Sequence, residues 1–313
     1  MSSTVRQRVV FLRHRGRYED ALGILTNSSA SDVWVYCERA QCHFMYHQFE
    51  EVSNDYVQLT ALDTAVGSKE GAIATILYDL SRVHTDLALH EAVQTAEDIF
   101  ATWLADKPAE AFDDEDLSLL CFCHMILDLG WRFLSDSAHE NRSRTTNPPS
   151  WSVLEKLRAR FLRERRAGLL AMVHLAESIS HPPDVLIIRV RETLGIITEG
   201  DHDLRVYLGG LLVGAHFEKD AAPQVVQEVL QLRSLPYSSY NPEVQWWAEY
   251  YLLKTQRHEQ KELDAVERLL QACSDRGARN AALACRFLEA EIHLNRDDEE
   301  KYTRCIRDLL ERW

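Results

Sequence analysis

The sequence predicts an all-α protein, an α-solenoid of antiparallel helix pairs wound into a right-handed superhelical array. Three observations predict it. Apolar residues recur at intervals of three and four rather than two, the period of a helix with one buried face. Glycine (12) and proline (8) are scarce among the 313 residues. Average usage of about 7% and 5% would give roughly 22 and 16, and sheet proteins need such turn formers in quantity. Short polar turns also recur at a near-constant spacing, the mark of stacked helix pairs.

The chain opens on Met1–Arg8, and the apolar run that follows is only Val9–Leu12 before Arg13, His14 and Arg15 interrupt it. That is too short for a secretory leader. The longest apolar stretches elsewhere, such as Leu117–Leu129, are too short and too polar to span a bilayer. The expected compartment is the cytoplasm or nucleus. Seven cysteines, an odd number scattered through helical patterns, fit reduced, buried thiols better than a disulfide framework.

The first helix pair turns at Arg15–Gly16–Arg17–Tyr18–Glu19–Asp20–Ala21. Tyr46–His47–Gln48–Phe49–Glu50–Glu51 repeats the grammar, with Gly16 and Gln48 32 residues apart. A small residue, an aromatic, an acidic pair and an alanine at a tight turn resemble the tetratricopeptide-repeat superfamily. Gly16, Tyr18, Glu19, Asp20 and Ala21 match that pattern. Trp34, Ala40 and Phe49 fall near the helix-A and helix-B positions of a second unit. The motif is confined to these two units. The resemblance implies a repeat architecture and a tendency to bind protein segments, and it implies no activity.

In the middle, Gly71–Ala105 reads as a helix pair broken near His84–Leu89. Asp106–Asp116 is an acidic loop, and Leu117–Leu134 a strongly apolar helix. Ser135–Ser150, with Asn147–Pro148–Pro149, reads as a flexible loop. The expected organisation is an N-terminal helical-repeat half at 1–136, a flexible loop at 137–150 and a C-terminal half at 151–313, or else one continuous array. Trp151–Ser180 reads as one long helix ended by His181–Pro182–Pro183.

Three polar turns punctuate the C-terminal half, at Phe217–Asp220, Arg257–Gln260 and Asn295–Asp298. Aligned on Lys219, His258 and Arg296, they lie 39 and 38 residues apart. Between them, Val244, Trp247, Ala248, Tyr251 and Leu252 define one face. Leu263, Val266, Leu269, Leu270 and Cys273 define the next, and Ala281, Ala284, Cys285, Leu288 and Ile292 the one after. This register turns Trp247 inward and presents Trp246 and Tyr250 as an exposed aromatic binding surface. Gly209, Gly210 and Gly214 lie within a helical pattern and are expected to permit close helix approach.

The formal net charge of −14 argues against nucleic acid or an anionic membrane as partner and leaves basic protein surfaces open. Asp113–Asp114–Glu115–Asp116 precedes an apolar helix, where acids cap the positive end of the helix dipole. The rival reading is a Mg2+ site. His43 and His47 share a helix face but lack the glutamate of a metalloprotease motif, since residue 44 is Phe. Cys121–Phe122–Cys123 is too closely spaced for a zinc knuckle. The one basic run, Lys156 to Arg166, holds Arg158 and Arg165. It would contact an acidic partner or a phosphate, or else form a solvated face paired with acidic neighbours. No Gly-rich phosphate loop, nucleophile elbow or His-Glu-x-x-His is present.

These features favour a non-enzymatic scaffold or adaptor subunit that binds protein partners through a helical-repeat groove, without a cofactor. The binding residues would be Trp246, Tyr250, Arg158 and Arg165. The alternative is an all-α enzyme acting on an isoprenoid diphosphate, similar to terpene cyclases. Asp113, Asp114 and Asp116 would then hold Mg2+, and Trp103, Trp131, Phe133, Trp246 and Tyr250 would line a closed cavity. The second metal motif of that family is missing: the nearest acidic stretch, Thr198–Asp203, does not match it.

Overall fold

The computed structural model describes residues 2–27, 32–46, 48–65, 67–82, 86–133, 149–198, 201–235, 242–255, 262–275, 279–296 and 298–312. Among these residues the chain forms sixteen α-helices and no strand. They are α1 (Ser3–Arg13), α2 (Tyr18–Thr26), α3 (Val33–Met45), α4 (Phe49–Thr60), α5 (Lys69–Arg82), α6 (Asp86–Trp103), α7 (Asp114–Phe133) and α8 (Pro149–Arg163). There follow α9 (Ala167–Ser180), α10 (Pro183–Leu194), α11 (His202–Glu218), α12 (Ala222–Ser234), α13 (Pro242–Thr255), α14 (Glu262–Asp275), α15 (Arg279–Asn295) and α16 (Glu299–Arg312). No described helix is long and apolar enough to cross a membrane.

Local chemistry explains the boundaries. The Ser2 hydroxyl accepts the Val5 N–H at the start of α1, and the Asp32 carboxylate accepts the Trp34 N–H at the start of α3. Pro183 and Pro223 sit in the first turns of α10 and α12, where no N–H is missed. Gly16, at φ 71°, makes the tight turn between α1 and α2.

Packing follows a simple rule. From α3 onward each odd-numbered helix packs against the next odd-numbered one, α3 on α5 through to α13 on α15. Each even-numbered helix packs chiefly on its neighbours in the chain. The apolar core follows the same order as a string of clusters. One joins α1 to α3, a large one runs from Val33 on α3 to Ala176 on α9, and smaller ones link α9 to α11, α11 to α13 and α13 to α15. Close approach is built into α11. A Cβ on Gly210 would fall 2.4 Å from Val244 Cγ1, and one on Gly209 2.5 Å from Leu232 Cδ2.

The tip of the first helix pair folds back onto later helices. Arg13 lies buried with Glu38 of α3, Nε to Oε2 2.8 Å, and its Nη1 donates to Ser118 Oγ on α7 at 3.2 Å. Arg15 pairs with Asp201 at 2.9 Å and Arg17 lies 3.6 Å from Asp203, just ahead of and at the start of α11. Tyr18 shares a hydrogen bond with Tyr207 on the same helix. This tip therefore meets α7 and α11 far along the sequence.

Two sequence expectations need correction. Residues 151–180 are not one helix: α8 ends at Arg163 and α9 begins at Ala167. Arg165 adopts a left-handed conformation at φ 56°, and the Arg166 N–H closes on Phe161 O at 2.8 Å. The break carries neither glycine nor proline, so composition did not signal it. The register of α13 also differs. Trp246 is buried, at 8% exposure, among Val266, Leu270 and Leu288, whereas Trp247 is half-buried. The helix is flanked on one side by α11 and α12, through Ala248 and Leu252, and on the other by α14 and α15, through Trp246. A single-face reading fails where two faces are covered. The expected flexible loop at 137–150 falls almost wholly outside the described residues.

Candidate functional site

The acidic cluster at 113–116 is built as a helix start. Asp113 caps α7: its Oδ1 accepts the Asp116 N–H at 2.8 Å, while Asp116 Oδ2 accepts the Asp113 N–H at 3.0 Å. This reciprocal pair is a capping box, with an aspartate in place of the usual glutamate. Lys69 then places its Nζ 2.7 Å from Asp113 Oδ2 and 3.0 Å from Asp116 Oδ1, and Lys107 bonds Asp116 Oδ2. Burial pushes the Asp113 carboxyl up, but Lys69 and the Asp116 N–H hold it below the ordinary range. Asp114 contributes its backbone carbonyl to the Ser118 hydroxyl. Two lysine ammonium groups thus pair with the Asp113 and Asp116 carboxylates.

The basic run is similarly engaged. Arg158 Nη1 reaches Glu192 at 3.0 Å, and its Nε lies 3.6 Å from Glu155. Arg160 bonds Glu164 at 2.9 Å and the Ala109 carbonyl, in the acidic loop, at 2.7 Å. Arg165 is the left-handed residue that ends α8.

Two further clusters emerge only in three dimensions. On α8, α9 and α10, Glu177 is fully buried. Its Oε2 lies 2.9 Å from His174 Nδ1, and its Oε1 accepts from Arg189 Nη1 at 2.5 Å. Arg189 also reaches Glu155 at 2.5 Å and His181 Nε2 at 2.8 Å, and the Trp151 ring stacks on His181 at 4.5 Å. Burial raises the Glu177 carboxyl, yet His174 and Arg189 hold it below its ordinary range. Glu155, Glu177 and His181 have the spacing of metal ligands, but the Arg189 guanidinium already sits among them as the cation. In the second cluster, Glu289, His293 and Cys305, the Arg286 guanidinium reaches Glu289 alone, Nη1 to Oε2 2.6 Å. Of the histidines singled out from sequence, His43 bonds Gln48 at 2.6 Å and lies 3.7 Å from Asp55, while His47 lies outside the described residues. All seven cysteines are free and buried.

The aromatic band forms a continuous ladder across α11 and α13: Phe217 meets Tyr251 at 4.6 Å, Tyr251 meets Trp247 at 6.0 Å, and Trp247 meets Tyr250 edge-on at 5.5 Å. Beside it lies an apolar stripe that the sequence reading missed. Phe287 and Leu294 on α15 are 51% and 54% exposed. Glu291, between them on the same face, lies 3.8 Å from Lys254 of α13. Lys254 in turn lies 3.5 Å from the Tyr250 hydroxyl. Tyr250, Lys254, Phe287, Glu291 and Leu294 therefore share one surface. A seven-residue separation of apolar residues on α15 was readable in the sequence; their exposure was not. Compared with known proteins, the chain matches no family model and no curated protein sequence.

Proposed function

We propose that the chain is a non-enzymatic helical-repeat scaffold, an α-solenoid of tetratricopeptide-like pairs, that binds an amphipathic protein segment on the α13–α15 face. The observation that carries this reading is the layer of odd-numbered helices, each stacked on the next from α3 to α15. In a solenoid such a layer supplies an extended binding surface. The folded-back tip of α1 and α2 engages α7 and α11, which points to the later part of the layer as the place for a partner. There Phe287 and Leu294 offer apolar anchors, Tyr250 an aromatic wall, and Glu291 a carboxylate for a basic residue of the segment. Arg158 and Arg165 have no part in it, and Trp246 acts from the core by holding α13 in place. The capping and lysine pairing of Asp113 and Asp116 supports this reading over the diphosphate enzyme.

Selection of peptides from a displayed random library tests it. Selected peptides should carry two apolar residues three or four apart beside a Lys or Arg. Their binding should weaken at least about 10-fold, some 1.4 kcal/mol, in Phe287→Asp and stay unchanged in Val57→Asp, an exposed apolar position on α4. Binding that survives both Phe287→Asp and Leu294→Asp would refute the assignment.

A further inference from the structure

The last helix pair brings three unlike ligand groups together. Glu289 and His293 stand one turn apart on α15, and Cys305 faces them from α16. One donor atom of each lies within 4.8 Å of the others. The three side chains belong to residues only 7%, 4% and 5% exposed. His293 Nδ1 is buried without a hydrogen-bond partner, and the Asp298 carboxylate lies 3.8 Å from it. Arg286 Nη1 donates to Glu289 Oε2 at 2.6 Å and steadies that carboxylate.

We propose that Glu289, His293 and Cys305 form a binding site for a thiophilic divalent cation of the zinc class. A thiolate and an imidazole select zinc over magnesium or calcium, which prefer oxygen alone. Three protein ligands leave the fourth position to solvent, the open form of a zinc site. In the metal-free chain the Cys305 thiol lies beside the Glu289 carboxylate. Binding breaks the S–H bond and forms a metal–sulfur bond, and the proton leaves to solvent. The ion would pin α16 to α15 at the end of the array, independently of any partner on the α13–α15 face.

The test uses the full chain freed of metal. Cobalt(II) titration should give a sulfur-to-cobalt charge-transfer band that saturates at one equivalent and is bleached by zinc. Cys305→Ser should abolish the band, and His293→Gln should weaken zinc binding, measured against a chromophoric chelator, at least about 10-fold. Cys273→Ser, which changes another buried cysteine, should leave both unchanged. Zinc should raise the melting temperature of the wild type and not of Cys305→Ser. Absence of the band in the wild type overturns the proposal, and so does its persistence in Cys305→Ser. If a variant fails to fold, the wild-type spectrum alone decides.

Discussion

At the scale of single residues, burial decides most of the electrostatics. Arg13 and Glu38 face each other in the interior, with Gln41 donating to the same carboxylate at 3.1 Å. Such a pair adds little net stability, but removal of one partner strands the other charge. Asp55 is the contrasting case. Burial raises its carboxyl to about 7, although Arg39 stands 3.0 Å away, and Glu51 adds to the rise. An unfolded aspartate ionises near 4. The folded state therefore holds the proton more tightly than the unfolded one, and stability contributed by this group falls as pH rises from about 4 to about 7. Asp55→Asn mimics the protonated form and should melt above the wild type at pH 8. That advantage should shrink steadily as the pH is lowered to 5. An offset that does not change with pH, read by thermal melting across the range, would place the ionised carboxylate in a better-solvated site than the structure gives it.

At the scale of elements, the break between α8 and α9 rests on one strained residue. A non-glycine residue in the left-handed region costs about 1–2 kcal/mol, and glycine is the usual occupant of that position after a helix. Arg165→Gly should therefore stabilise the chain by about 1 kcal/mol in denaturant melts. A loss of stability instead would mean that Arg165 makes a contact worth more than its strain. This break also marks where the sequence ceased to be legible. The turn at Gly16–Tyr18–Glu19–Asp20 was readable because glycine and an acidic first turn advertise it. The α11–α12 and α15–α16 turns were readable from polar residues at fixed spacing, and Gly209 and Gly210 from small residues inside an apolar helix. The α8–α9 turn advertises nothing, since arginines serve helices and turns alike. The face of α13 was misread because two flanks are covered, which one amphipathic stripe cannot express. Glu289 and His293 could have been paired from their four-residue spacing, but only the return of α16 brings Cys305 to them.

At the scale of the whole molecule, the described core is a string of clusters rather than one centre. The sequence conveyed the all-helical class through its periodicity. It could not convey that the tip of the first pair reaches α7 and α11, because Arg13 and Ser118 are 105 residues apart. In the proposed reading, that reach leaves the later odd-numbered helices for the partner. The most direct test is hydrogen exchange of the native chain with and without a selected amphipathic peptide. Added protection should fall on Tyr250–Lys254 and Phe287–Leu294, with the α4 and α6 amides unchanged. Protection concentrated on α4 and α6, with α13 and α15 exchanging as in the free chain, would contradict the scaffold surface proposed for this protein.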